Sequence, residues 1–325
     1  MKLTIGTRGS ALALWQANHV ADLLRAREPG LTVELTIIKT KGDKIQDVAL
    51  AKVGGKGLFV KEIEDALLGR EVDLAVHSMK DVPAELPAGL VIAATSLRAD
   101  ARDALCVRAG VAPSLAGLPE GAHVGTSSLR RLCQLRAARP DLRISPLRGN
   151  VDTRLRKLEE GSYDAIVLAA AGLDRLGLAG RIAVRLPHDV MLPAIAQGAL
   201  GLETRADDAA TIARIRAALH HDDTAAAVLA ERTLLGRLDG GCQTPIAAHA
   251  TVSAGQLALS ALIGAPDGSA MVRGQGSGPA SDAAAIGARV ADELLARGGQ
   301  KLLAAARAAS LAGQAAGPAG PAGPT

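Results

Sequence analysis

Only three of the 325 residues are aromatic, Trp15, Phe59 and Tyr163, in a chain that is 48% hydrophobic. Its core must therefore close with Leu, Val, Ile and Ala. That scarcity argues against a stacking platform for nucleic-acid bases. With 22% charged residues the composition is that of a folding chain, long enough for two or three domains. No apolar run approaches the ~20 residues that cross a bilayer. The opening MKLTIGTRGS carries no apolar stretch or cleavage site of a secretory leader. A cytoplasmic protein with no nucleic-acid or membrane partner is expected.

Charge is the second constraint. Of 37 basic and 33 acidic residues, nine basic and two acidic ones fall between Ser127 and Lys157, leaving 28 against 31 elsewhere. The whole positive excess thus sits in one short stretch. It is either a solvated helix face or a concentrated anion site. Cys106, Cys133 and Cys242 are odd in number and far apart. Neither a disulfide framework nor a metal is expected, and the default for each is a small buried apolar residue.

The first hundred residues alternate strand and helix signals, which implies a sheet with helices on both faces. LTIGT (3–7) reads as a strand, and Ser10 can cap a helix to about Arg27 with Leu12, Trp15, Val20 and Leu23 on its apolar side. Strands follow at 31–40 and 72–79, with a helix at 59–69 between them. The grammar returns as strand 122–126, a helix at 127–139 opened by hydroxyl caps, strand 142–147, helix 151–160 and strand 163–171. Two α/β lobes facing a cleft explain the repetition. From about 218 a helix (223–237), three strand candidates and a helix at 281–297 read as a smaller α+β domain. The segment 41–57, rich in Lys and Gly, reads as a lid.

In open α/β sheets, ligands bind beyond the carboxyl ends of strands, where helix N-termini offer N–H donors. Thr7, Arg8 and Ser10 fall there in the first lobe, as do Ser78, Lys80 and Asp81. Thr126, Ser127, Ser128, Arg130, Arg131, Arg148 and Asn150 are their counterparts in the second. Hydroxyls and guanidinium forks in such places suit carboxylates or phosphates. Asp81 is the exception: either a cap or partner of Lys80, or a carboxylate that stabilises a developing cation. His77 reads as a packed core residue. Cys242, on the glycine turn DGGCQTP, is either buried or a presented nucleophile.

Seven segments, among them DLAVHSMKDVP (73–83), VGTSSLRRLCQL (124–135), LRGNVDTRLRKL (147–158), LPAIAQGALGLE (192–203) and LDGGCQTPI (238–246), together resemble the porphobilinogen deaminase (hydroxymethylbilane synthase) family. The resemblance covers residues 3 to about 305, and its motifs are specific in combination. It implies two periplasmic-binding-protein-like lobes, residues 1–98 with 194–217 and residues 99–193. A cofactor-attachment domain (218–310) follows; the Pro/Gly-rich segment 311–325 is extra to the family and reads from its composition as a disordered tail.

It also implies a monomeric transferase of haem and tetrapyrrole synthesis that condenses four porphobilinogens head to tail, releasing ammonia each time. The product, linear hydroxymethylbilane, grows on a dipyrromethane cofactor held by a thioether to Cys242. By motif, Ser78, Lys80, Thr126, Ser128, Arg130, Arg131 and Arg154 match cofactor ligands. Arg8, Ser10, Arg148 and Arg175 match positions for substrate or growing chain, Asp81 the catalytic carboxylate, and Lys52, Lys56 and Phe59 the mobile loop. A two-lobed anion binder without catalysis is the rival reading, and fold alone does not separate the two.

Overall fold

The computed structural model describes residues 2–44, 60–240 and 244–315. The lid residues Lys52, Lys56 and Phe59, the cofactor-attachment residue Cys242 and the final ten residues lie outside them. Two five-stranded α/β lobes and a smaller three-stranded domain make up the fold, as expected.

The first sheet is ordered β2-β1-β3-β10-β4, from strands β1 (Lys2–Thr7), β2 (Thr32–Ile37), β3 (Leu74–Ser78), β4 (Leu90–Thr95) and β10 (Leu200–Arg205). Helices α1 (Ala11–Arg27) and α2 (Lys61–Leu68) connect its first strands. The second sheet is ordered β7-β6-β8-β5-β9, from β5 (Asp103–Val107), β6 (His123–Gly125), β7 (Arg143–Ser145), β8 (Ala165–Ala169) and β9 (Val184–Arg185). It carries α3 (Leu129–Ala138), α4 (Val151–Glu159) and α5 (Ala170–Arg175).

The two sheets share one topology. Each has a single antiparallel strand in fourth place, β10 in the first and β5 in the second. Each is the strand the chain enters on crossing from the other lobe. The crossings at 96–102 and 186–199 are therefore part of both sheets' hydrogen-bonding logic, and residues on them are fixed rather than loosely tethered.

The third domain packs α7 (Asp222–Arg237) and α8 (Ala283–Leu294) on the antiparallel sheet β11-β12-β13 (Ile246–Ser253, Gln256–Gly264, Met271–Pro279). Helix α6 (Ala209–Leu219) packs under the first sheet, and α9 runs Gln300–Ala315. The sequence-predicted tail thus begins too early, since residues 311–315 continue α9.

One buried carboxylate joins the three parts. Glu231 of α7, with no exposed surface, accepts both Nη groups of Arg98 from the first crossing. It also accepts the amides of Ala196, on the second crossing, and of Ala250 in β11.

The apolar side of α1 differs from expectation. Ala17, Val20, Ala21 and Leu24 face the sheet, whereas Trp15 and Leu23 are 36% and 38% exposed. Small residues let the helix axis approach the strands closely. Trp15 is instead stacked on His19 and lies under the Arg175 guanidinium, 5.9 Å from its carbon.

Candidate active site

Local chain chemistry sets the first-lobe wall. β1 ends at Thr7, and Ser10 accepts the amide of Ala13 to cap α1 as expected. Arg8 and Ser10, with Gln16, His77, Ser78 and Asp81, line one cavity beyond the carboxyl ends of β1 and β3. Ser78 accepts a 2.9 Å hydrogen bond from Gln16 Nε2. A single 3₁₀ turn, Met79–Asp81, follows β3, burying Met79 and leaving Asp81 exposed to the cleft. The described residues donate no hydrogen bond to the Asp81 carboxylate. His77 is buried, as expected, with its Nε2 2.8 Å from Glu203 Oε2.

The second-lobe wall begins where β6 ends. Thr126 is buried, and its hydroxyl accepts the amide of Ser128. Ser128 occupies the N-cap of α3 but makes no side-chain capping bond, contrary to the expected hydroxyl cap. Ser127 instead donates to the Leu147 carbonyl at 2.9 Å.

Arg130 and Arg131 are nearly buried, at 5% and 6% exposure, and both grip Asp103 at the start of β5. Arg131 donates from Nε and Nη2 to Asp103 Oδ1 at 3.1 and 2.7 Å, and from Nη1 to the Val167 carbonyl. Arg130 donates to both Asp103 oxygens and to the Leu192 carbonyl. Burial alone would raise the Asp103 pKa, but the two guanidiniums hold it well below the usual carboxylate range. A guanidinium has five N–H donors, so each arginine keeps two beyond these bonds. One carboxylate against two cations also leaves the pair net positive.

Gln197, on the second crossing, ties this cluster to the other lobe. It donates to Asp103 at 3.0 Å and to the Ala101 carbonyl, and its oxygen lies 3.4 Å from Lys80 Nζ. Burial drives the Lys80 pKa down to about 8; Asp81 and Asp103 oppose the shift, while Arg131 and Arg130 reinforce it. Arg154 is lowered to about 10, by burial first and then by Arg131 and Arg148, with Asp81 opposing. Lys80 and Asp81 of one lobe are thus within electrostatic reach of the arginines of the other.

Arg154 Nε is held by the carbonyl of Gly149, whose φ of 113° suits only glycine. Arg148 Nε is buried without a hydrogen-bond partner among the described residues. Arg175 donates to the Gly198 carbonyl at 2.7 Å.

Asp103, Gln197, Arg98 and Glu231 escaped attention as site residues. Asp103 lies outside the basic stretch, and its bonds reach 27 and 28 positions along the chain. Gln197 stands in one of the motif segments, but no pattern of residue types marks it. The glycine turn before Cys242 also has a simpler basis than close approach of a ligand. A Cβ on Gly240 would meet Ile246 at 2.5 Å and Leu235 at 2.7 Å.

Cations stand at the strand ends of both lobes of this two-lobed α/β protein, around a carboxylate, Asp81, to which no cation is bonded among the described residues. Residues 3–213 match the family model "porphobilinogen deaminase, dipyromethane cofactor binding domain", and residues 225–296 match "porphobilinogen deaminase, C-terminal domain". Relatives include the porphobilinogen deaminase of Trichlorobacter lovleyi, 56% identical over 302 residues (93% of this chain, 96% of that protein). That of Syntrophotalea carbinolica is 57% identical over 303 residues, 93% and 95% of the two chains. The chain belongs to the porphobilinogen deaminase family, transferases of tetrapyrrole synthesis with a dipyrromethane cofactor.

Among solved structures, the methionine binding protein MetQ overlaps with a TM-score of 0.44 at 15% identity, covering 67% of this chain and 89% of that one. The extracellular-binding protein ytmK of a probable amino-acid transporter from Bacillus subtilis overlaps with 0.40 at 12%, covering 67% and 90%. Among the described residues, no helix is long and apolar enough to cross a membrane.

Asp103→Asn is expected to leave two buried guanidiniums without an anion and to cost about 3–5 kcal/mol of stability. Chemical denaturation monitored by circular dichroism checks this; an unchanged midpoint contradicts it.

Proposed function

We propose that this cleft carries out the family's reaction, with Asp81 as the catalytic carboxylate and Cys242 as the point of cofactor attachment. The observation that carries the assignment is the hydrogen-bonded path from Lys80, next to Asp81, through Gln197 to Asp103 and the arginines of the other lobe. Every pyrrole of the substrate bears an acetate and a propionate, so a lengthening chain accumulates negative charge. Lys80, Arg130, Arg131, Arg154, Ser128 and Thr126 would hold the cofactor's carboxylates. The buried Nε of Arg148, without a partner among the described residues, is one donor that a carboxylate of the substrate or growing chain can satisfy. When bound, the dipyrromethane supplies the nucleophilic pyrrole carbon to which rings are added.

Arg8, Ser10, Arg148 and Arg175 are assigned to the incoming porphobilinogen or the growing chain, while Ser78, beside Asp81 on the first-lobe wall, is assigned with the cofactor ligands. Loss of ammonia from porphobilinogen places positive charge on its pyrrole nitrogen. Asp81 faces that charge from a rigid turn, and a fixed anion stabilises it more than it stabilises the neutral ground state. Lys80, beside it, balances the cofactor's carboxylates rather than the reacting nitrogen.

Asp81→Asn should keep the fold and lose on the order of 10²–10³ in ammonia release from porphobilinogen. Near-normal turnover in that variant refutes the assignment. Lys80 loses its proton as pH rises through about 8, so its carboxylate-holding charge is present below that pH and gone above it. Turnover should therefore fall along an alkaline limb near pH 8, and Lys80→Arg should move that limb upward, because guanidinium stays protonated. An identical limb in both proteins excludes Lys80 as its source.

A further inference from the structure

Arg232 belongs to the third domain, on the helix that leads to Cys242, yet its guanidinium is spent on the first lobe. Nη1 donates to the Val82 carbonyl at 3.0 Å, and Nη2 donates to those of Pro83 and Ala84 at 2.6 and 3.1 Å. These are the three carbonyls that directly follow Asp81. Pro83 brings no amide of its own to this stretch. A single planar fork takes up three neighbouring acceptors at once.

The same turn is pinned by packing. Met79 and Val82 share one apolar cluster with Val228 and Leu234 of α7. The Val82 amide closes the turn on the Met79 carbonyl at 3.2 Å. The other end of the segment is also within the influence of Arg232. Burial lowers its pKa, and the charge of Glu203 opposes the shift. Glu203 bonds His77, and His77 lines the same cavity as Asp81. Residues 82–84, directly after Asp81, are therefore held by one cation of another domain.

We infer that Arg232 is a positioning residue, fixing Asp81 in the cleft and tying it to the domain that carries Cys242. The inference rests on the role proposed above for Asp81. A displacement of about 1 Å in a reacting group can cost on the order of 10²-fold in rate. An anchor on the adjoining carbonyls governs that displacement without touching substrate.

The test uses purified holoenzyme as wild type, Arg232→Ala, Arg232→Lys, Asp81→Asn and the Asp81→Asn/Arg232→Ala double variant. Intact mass should show the same cofactor content in Arg232→Ala as in wild type. Amide exchange across 79–84 should be faster in it. Its kcat should fall roughly 10–100-fold with KM within about twofold, since the carboxylate-binding arginines stay in place. Arg232→Lys should lie between the two, because a point charge cannot serve three carbonyls. In the Asp81→Asn background, Arg232→Ala should cost less than about threefold, because the group it positions is already lost.

An unchanged kcat in Arg232→Ala overturns the inference, as does the same fold-loss in both backgrounds, which marks a purely structural role. If Arg232→Ala does not fold, Arg232→Lys carries the test, and wild-type kcat and exchange rates in it overturn the inference. A wild-type protein that releases no ammonia defeats the assignment of Asp81. The exchange rates then still report whether Arg232 holds the turn.

Discussion

The structure depends on how two like charges are kept side by side inside a protein. Arg130 and Arg131 are adjacent in sequence, almost wholly buried, and would repel one another without Asp103 between them. Removing charge from water costs several kcal/mol per ion, and only geometry with well-made hydrogen bonds repays it. Here the carboxylate and the backbone carbonyls of Val167 and Leu192 do so. The solution is incomplete by one charge, so the cluster stays net positive. If that charge holds the cofactor's carboxylates as proposed, stability and binding draw on the same cluster.

The crossings between lobes extend that logic. Gln197 carries the Asp103 cluster to Lys80, and Glu231 links both crossings to the third domain through Arg98, Ala196 and Ala250. Each lobe completes its own sheet with a strand that arrives from the other. Movement of one lobe therefore acts on residues whose hydrogen bonds belong to both. The binding groups are carried on rigid strand ends and helix starts, while the parts that join them are buried and polar.

Much of this was legible in the chain because it is local. A strand ending in Gly-Thr and running into a helix places Arg8 and Ser10, or Thr126 and Ser128, at a cleft rim within a few residues. The motif segments likewise placed Lys80 and Asp81 together. What could not be read is set by distant pairing. Strands β5 and β10 are recognisable only through partners far along the chain. Asp103 has no neighbour in sequence to mark it as the counter-ion of two arginines. The buried face of α1 does not follow its large apolar residues, because close helix–sheet contact selects Ala17 and Ala21. Ser128 shows the converse, occupying a cap position while its hydroxyl makes no capping bond.

The claim that most needs a direct check is that this basic cleft holds a chain-bound polyanion anchored at Cys242. Intact mass spectrometry of the purified protein, before and after addition of porphobilinogen, reports attachment and growth together. The account expects the polypeptide mass plus two linked pyrrole units, then further additions of one ring at a time, and neither in Cys242→Ser. Active protein at the bare polypeptide mass, with no increments on adding substrate, would contradict it.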